Sequence, residues 1–377
     1  MINQNNARVL LIADTSYAGM GPYVASIVNS FEPSDNTLFF LVESSDKYYS
    51  HNIRKDLLHK VTIVQAEAPT KIKTLKNLII DRGWRYSNLI KKLCLDYDVK
   101  IIHSLTSLTD ARLSMFLSNK YKFLYTVHDF RPHEQNKVFY KEWRMNIIYK
   151  RIFNCINFSR LLLTNSKAQL NELRKQYPNK ESFYAPFPSL ITENIIKGNK
   201  NIAELSDIKN YILFFGRIEA YKGIELLSRA FLKSDLPGKT KLVIAGKGEY
   251  KGIITEDIIL INRYIDDSEV ANLYKNAAVI VYPYISATQS GVLSVAAYFG
   301  KPMIVSDVPF FLEELGMDYP LTFHMNDSDA LSELLSNFYR ISNRVMYSAI
   351  SREVYEKKYS KSTISNYLND IYRIICK

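Results

Sequence analysis

Residues 211–223 read YILFFGRIEAYKG. Tyr211–Phe215 has the length and composition of a buried strand. Gly216 ends it, Arg217 follows, and Lys222-Gly223 opens onto Ile224–Leu232, an amphipathic stretch with helical spacing. A strand, a short cationic loop and a helix form the repeating unit of parallel α/β sheets. Two cations beyond a strand's carboxyl end suit a diphosphate, Arg as a fork of donors and Lys as a point charge. Glu219 offers a competing reading, a surface ion pair with one of them.

Working outward, the same rhythm continues in both directions. Downstream, strands are expected at Leu242–Ala245, Ile258–Ile261, Val279–Tyr282, Met303–Val305 and Leu321–Phe323, with helices at Ser268–Asn276, Val292–Phe299 and Asp327–Tyr339. Upstream, strands are expected at Val9–Ala13, Leu38–Val42, Val61–Val64, Ile101–Ser104, Phe123–Val127 and Leu161–Thr164, with helices such as Pro22–Phe31 and Lys167–Gln176 between them. The rhythm lapses around 185–205, where Ala185-Pro186-Phe187-Pro188 is followed by a polar stretch, which marks a linker. The pattern predicts two doubly wound, Rossmann-like α/β domains, residues 1–190 and 205–358. A C-terminal segment, 359–377, is expected to be helical after a break near Tyr359-Ser360 and to pack back on the first domain. In such sheets ligands bind beyond the carboxyl ends of the strands, and two facing sheets would form a cleft.

With 47% hydrophobic and 23% charged residues in 377, the composition is that of a folded globular protein rather than a disordered one. No apolar run approaches the ~18 residues of a membrane-spanning helix. The first six residues, MINQNN, do not read as a signal peptide. Cys94, Cys155 and Cys376 stand far apart, which excludes a disulfide scaffold or a zinc ribbon and suits a reducing cytoplasm. Residues 1–190 carry 27 Lys and Arg against 16 Asp and Glu, whereas residues 191–377 carry 22 against 22, so the whole formal charge of +11 lies on the first half. That asymmetry implies an anionic partner for the first half; a solubility bias is the alternative. Nucleic acid is the least favoured partner, because no helix-turn-helix, RNP or zinc-finger pattern accompanies the charge.

Three further strand-end loops carry chemistry. Only three glycines occur in the first 190 residues, and Gly19 and Gly21 share the loop after the first strand, with Pro22 expected at the first helical position. Such a loop lets a ligand approach the backbone at a helix N-terminus, though a tight turn alone explains it equally. Thr126-Val127-His128-Asp129 ends another strand; His128 is either a structural histidine or a functional one facing the cleft. In YPYISATQSGV, residues 282–292, a buried strand leads to a small polar loop with Ser290 as the expected N-cap, and the backbone N–H groups there suit an anion.

Taken in order, GRIEAYKG, LVIAGKGE, INRYIDDSEVANLYKNAAVIVYPY and SATQSGVLSVAAYFGKPMIVSDV resemble the retaining glycosyltransferases of family 4, which have the two-domain GT-B fold. The resemblance covers nearly the whole chain and is strongest over Tyr211–Val308. It implies that Arg217 and Lys222 hold the donor diphosphate with Gly19, Gly21, Ser290, Gly291 and Val292. His128 then contacts the donor sugar, and Arg263 and Tyr264 pack on the nucleotide base. Most of the family also carries two glutamates in an E-x7-E pattern; counting back from Gly300-Lys301-Pro302, those positions are Ala287 and Val295. This chain resembles a subgroup with A-T-Q-S-G-V instead, leaving Thr288 and Gln289 as the nearest polar candidates for sugar contacts.

The expected reaction is transfer of a sugar from a nucleotide-diphosphate donor to an acceptor hydroxyl, with retention of configuration implied by the resemblance. No DxD pair or His/Asp ligand spacing stands beside these residues, so no metal and no further cofactor is expected. In the family the N-terminal domain receives the acceptor. Its charge fits a lipid-linked oligosaccharide for a bacterial surface polysaccharide, handled by a cytoplasmic enzyme, peripheral on the inner face of the cell membrane. The segment 70–93 presents Lys71, Lys73, Lys76, Arg82 and Arg85 among apolar residues including Trp84, either as an interfacial element on anionic lipid or as a solvated helix. Two competing functions remain: a non-catalytic GT-B scaffold subunit, motivated by the missing glutamates, and a sugar-nucleotide epimerase or hydrolase.

Overall fold

The computed structural model describes residues 8–15, 19–45, 47–66, 84–106, 111–128, 150, 152–287, 290–342 and 344–377, except the side chains of residues 84, 85, 111 and 112. These fall into two compact units, Met1–Pro188 with Lys361–Lys377, and Ser189–Ser360.

The first unit holds a sheet of seven parallel strands: β1 (Val9–Ala13), β2 (Thr37–Glu43), β3 (Val61–Gln65), β4 (Ile101–Ser104), β5 (Lys122–Thr126), β6 (Leu161–Thr164) and β7 (Glu181–Tyr184), in the order β3-β2-β1-β4-β5-β6-β7. Alternate side chains of one strand enter different cores. Val9, Leu11 and Ala13 join one apolar cluster, and Leu10 and Ile12 another; Phe39 and Leu41 separate from Phe40 and Val42 in the same way. A sheet buried on both faces needs apolar residues at every position, which is why VLLIA reads as an unbroken run. The C-terminal helix Lys361–Cys376 supplies Ile364, Leu368, Ile371, Tyr372 and Ile375, one helical stripe, to the first of these clusters. Its Tyr372 hydroxyl lies 2.7 Å from His103 Nδ1, and His103 Nε2 lies 2.9 Å from Thr126 Oγ1. Burial pushes His103 down to about 3, so this network holds a neutral imidazole.

The second unit holds a sheet of six parallel strands: β8 (Tyr211–Phe215), β9 (Leu242–Ala245), β10 (Ile258–Ile261), β11 (Ala277–Tyr282), β12 (Met303–Ser306) and β13 (Thr322–Phe323), in the order β10-β9-β8-β11-β12-β13. Its helices are delimited by local polar chemistry. Asp266 and Glu269 form a reciprocal capping box on Asp267–Asn276, and the Asp327 carboxylate accepts from the N–H groups of Asp329 and Ala330.

The structure departs from the sequence reading at β7 and at the first helix, and it adds the helix Pro309–Leu315 in the second unit. The expected strand set lacks β7, whose Glu-Ser-Phe-Tyr is short and mixed but completes the edge of the sheet beside β6. The first helix spans Met20–Ser30, so Pro22 is its third residue rather than its first. Proline is tolerated there because the first four N–H groups of a helix have no intrahelical acceptor.

Candidate functional site

In both sheets the chain runs outward in one direction, then returns to start again beside the first strand. In the second unit this switch falls between β8 and β11. The loops beyond their carboxyl ends are where an open α/β sheet receives a ligand.

Beyond β8 come Gly216 and Arg217, then the 3-10 turn Ala220–Lys222. Gly223 follows with φ +64, and a β-carbon there would lie 2.0 Å from the Pro283 carbonyl oxygen. Glycine is therefore required for the β8 loop to seat against the β11 loop. The Ile285 N–H donates to the Tyr221 carbonyl at 2.7 Å, tying the two loops together. At Gly216, φ is +143, and a β-carbon would come within 3.1 Å of Lys222 Nζ and 3.9 Å of Val292 Cγ1. The end of β8, the lysine ammonium and the start of helix Val292–Tyr298 thus meet at one point.

Lys222 is 6% exposed. Its Nζ lies 5.7 Å from the centroid of Tyr221 and 5.4 Å from that of Tyr284, and it has no hydrogen bond or ion pair among the described residues. Burial pushes its pKa down to about 8; the Glu219 carboxylate opposes that shift and Arg217 adds to it. Arg217 is exposed, with Nη1 2.9 Å from Glu219 Oε1, so the ion pair anticipated as the competing reading is present. The arginine is exposed, whereas the lysine is largely buried.

Gly291, not Ser290, occupies the N-cap of helix Val292–Tyr298. The Ser290 hydroxyl pairs instead with the Tyr284 hydroxyl at 3.4 Å, and the Gly291 carbonyl accepts from the Ser294 N–H and hydroxyl at 3.2 and 2.6 Å. Among the described residues, the N–H groups of Ser290, Gly291 and Val292 have no acceptor, so they are available to an anion. Ala287 is half-buried against the core and Val295 is 2% exposed within it. Thr288 and Gln289 lie outside the described residues.

Beyond β10, Tyr264 is 72% exposed. The Arg263 guanidinium is committed: it forms a fork on Glu269 at 2.8 and 2.9 Å and reaches Glu204 at 3.4 Å. Since Glu269 also closes the capping box, Arg263 ties this loop to the helix behind it and leaves Tyr264 as the free aromatic surface.

In the first unit, His128 is 7% exposed, and its Nε2 lies 2.7 Å from the Leu105 carbonyl, which accepts the hydrogen bond. The ring packs on the edge of Tyr23, with centroids 4.8 Å apart. Tyr23 belongs to the helix that starts beyond Gly19, and its hydroxyl donates to Asn165 Oδ1 at 3.0 Å. His128 and the glycine loop are thus brought into one neighbourhood through Tyr23. Gly19 has an ordinary φ of −68, and a β-carbon there would meet nothing within 4 Å among the described residues.

The sequence reading missed the switch point of this unit, between β1 and β4. There the Thr106 hydroxyl donates to Asp14 Oδ1 at 2.6 Å, and the Asp14 N–H donates to Thr106 Oγ1 at 3.1 Å. The available signal was a polar residue immediately after each of two apolar runs, LLIAD and IIHSLT. Lys71, Lys73, Lys76 and Arg82, and the side chains of Trp84 and Arg85, lie outside the described residues. Among the described residues no helix is long and apolar enough to cross a membrane, and no group of three or more His, Cys, Asp or Glu could hold a metal ion.

A groove lined by Tyr339, Arg340, Arg344 and Arg352 lies elsewhere on the second unit. The Tyr339 hydroxyl donates to the Asn210 carbonyl just before β8, which puts the groove at the amino edge of the sheet, away from the switch point.

Comparison with known proteins bears on the same residues. Residues 197–354 match the family model described as glycosyl transferases group 1. An uncharacterized glycosyltransferase of Methanocaldococcus jannaschii is 28% identical over 188 residues, covering 45% of this chain and 46% of that protein. The chain therefore matches about half the length of that curated relative. Sucrose-phosphate synthase from Thermosynechococcus elongatus superposes with a TM-score of 0.66 at 17% identity, covering 98% of this chain and 99% of that one. Anabaena HepE in complex with UDP-glucose gives 0.64 at 11% identity, with 97% and 99% covered. Residues 197–354, the stretch that builds the β8–β11 site, thus fall within the glycosyl transferases group 1 model, and the chain has the GT-B fold.

Proposed function

We propose that this protein is a retaining glycosyltransferase that moves a sugar from a nucleotide-diphosphate donor to an acceptor hydroxyl. One observation carries the reading: Gly216, Lys222 Nζ and Val292, the first residue of helix Val292–Tyr298, converge beyond the β8–β11 switch point, and the N–H groups at that helix start have no acceptor among the described residues. As the glycosidic bond breaks, negative charge gathers on the leaving diphosphate. An ammonium, a guanidinium and fixed N–H dipoles aimed at that charge lower the barrier. Arg217, exposed and paired with Glu219, can exchange that carboxylate for the phosphate that Lys222 also receives.

The supports are the group 1 family match over this site, the GT-B likeness and the UDP-glucose bound by Anabaena HepE. Tyr264 is the exposed aromatic on which a base would stack, with Arg263 holding its loop. The family 4 resemblance assigns Gly19 and Gly21 to the donor diphosphate and His128, Thr288 and Gln289 to the donor sugar. Retention follows from the family 4 resemblance. The positive charge comes from side chains, so we infer a metal-independent reaction. Turnover in excess chelator should be undiminished, and a strict metal requirement would contradict that inference.

The charge of the first half suits an anionic, lipid-linked oligosaccharide acceptor in surface polysaccharide synthesis, met by a cytoplasmic enzyme peripheral to the membrane. Charge neutralisation at Lys71, Lys73 and Lys76 should weaken sedimentation with anionic vesicles; unchanged sedimentation would remove membrane docking.

The absence of carboxylates at Ala287 and Val295 favours a second reading, a non-catalytic GT-B subunit. A panel of nucleotide sugars, UDP-glucose included, separates the two. Donor consumption supports the transferase. Failure of every donor to bind or turn over supports the scaffold.

A further inference from the structure

Lys222 is largely buried, and its ammonium has no acceptor among the described residues. Around it lie the Tyr221 ring of its own turn and the Tyr284 ring of the β11 loop, and its own backbone N–H donates at 3.0 Å to the carbonyl of Glu219, which shares the β8 loop with Arg217. Of these, Glu219 alone is acidic. Burial and Arg217 both favour loss of the lysine proton, and Glu219 opposes them. Glu219 is itself unusually placed. Its Oε1 accepts from Arg217 at 2.9 Å, while its Oε2 is buried with no hydrogen-bond partner among the described residues. A buried carboxylate oxygen left without a donor is unfavourable unless nearby positive charge offsets it. Here the Arg217 guanidinium on the other oxygen supplies it.

We propose that Glu219 is a positioning residue for the anion site: its carboxylate keeps the buried Lys222 charged and parks Arg217 at the end of β8 until a diphosphate takes both. This rests on the reading of Arg217 and Lys222 as the diphosphate-binding pair. A deprotonated Lys222 is a neutral amine and holds no phosphate by charge. Without Glu219 the site would lose its ammonium at a pH where the intact site retains it. A surface ion pair that only tethers Arg217 would have no such effect on Lys222.

The test is direct titration of the lysine. In protein labelled with ¹³Cε-lysine, with the Lys222 resonance assigned by its loss in Lys222→Arg, the wild-type midpoint is expected near 8. Glu219→Gln should lower it by on the order of one pH unit, about a tenfold loss of proton affinity. Glu219→Asp should largely restore it, and Arg217→Gln should raise it, since the guanidinium acts in the opposite sense. An unchanged midpoint in Glu219→Gln, or in Glu219→Ala should the first variant not fold, overturns the proposal.

Binding of inorganic pyrophosphate and of UDP, followed by calorimetry across pH, tests the underlying reading separately. Wild-type binding should fade on the alkaline side, and in Glu219→Gln it should fade at correspondingly lower pH. If the Lys222 midpoint moves while neither probe binds the wild type at any pH, the diphosphate reading fails and with it the purpose assigned to Glu219. If both probes bind with identical pH profiles in the two proteins, the diphosphate reading survives and the proposal falls.

Discussion

A buried lysine makes stability and ligand binding respond to pH in opposite directions. The Lys222 pKa is lowered from 10.5 to about 8 by burial, so folding disfavours its charged form. Between those two values the unfolded chain binds more protons than the folded one, and stability therefore rises with pH. The shift corresponds to about 3 kcal/mol of destabilisation below pH 8, relieved as pH climbs toward 10.5. Anion binding runs the other way and is lost as the ammonium deprotonates. Lys222→Met, an apolar replacement of similar length, should therefore raise the melting temperature at pH 7, with the gain shrinking toward pH 10.5, while abolishing turnover. A melting temperature that falls at pH 7 would contradict the assignment of Lys222 as a costly functional charge. Arg217 is exposed but pairs with Glu219, whose second oxygen is buried without a donor, so Arg217→Ala should lower the melting temperature only modestly while reducing turnover by about 10²–10³-fold. Wild-type rates with a panel of nucleotide sugars would remove Arg217 from the chemistry.

At this scale Arg217 and Lys222 are legible as residue types at a strand end. Their difference is not: one is exposed and the other buried, and burial depends on Tyr221 and Tyr284, the latter more than sixty positions away from Lys222 in sequence. The dual position of Glu219, one oxygen paired and one buried, is likewise a property of the packed loop.

Elements place these residues, and most of the elements are visible in the chain as apolar runs alternating with helical spacing. β1, β4, β6, β8 and β9 coincide with their runs because a strand covered on both faces admits few polar residues, and the edge strand β10 coincides through its own all-apolar run. Edge and terminal features are harder to see. β7 carries Glu181 and Ser182 at an edge, where burial is incomplete and the hydrophobic signal weakens. The cap at Gly291 was not legible either, because Ser290, the better capping residue by type, is engaged by Tyr284 from the preceding loop. Gly223 joins local geometry to tertiary packing, since both its φ of +64 and the approach of Pro283 exclude a side chain. Gly223→Ala should cost about 1–3 kcal/mol in a denaturation experiment and weaken diphosphate binding by moving the turn that carries Lys222. Wild-type stability in that variant would mean that the β8 and β11 loops do not require this contact.

For the molecule as a whole, the C-terminal helix Lys361–Cys376 returns to the first unit after the chain has built the second. It buries Ile364, Leu368, Ile371, Tyr372 and Ile375 and supplies the Tyr372 hydroxyl to His103. Truncation after Ser360 would expose an apolar face and leave a buried imidazole nitrogen without its partner. At about 1.5–3 kcal/mol for each large apolar side chain, the loss rivals the whole stability of a typical domain. The truncated chain should therefore lose the cooperative melting of the first unit, and an unaltered melting profile would contradict this account of the helix. The helical character of the segment is legible from its spacing, whereas its destination depends on which face of which sheet was left uncovered. The charge asymmetry is fully legible by counting, since all of the formal +11 falls on residues 1–190.

The central claim is that a nucleotide diphosphate is gripped beyond β8 and β11 by Arg217, Lys222 and the backbone at Ser290–Val292. A crystal structure of the protein soaked with UDP, and in parallel with GDP, addresses it most directly. The account predicts phosphate oxygens within hydrogen-bond distance of both cationic side chains and of those N–H groups, with Arg217 released from Glu219. Phosphate density seated anywhere else on the protein, or none in either crystal, would contradict it.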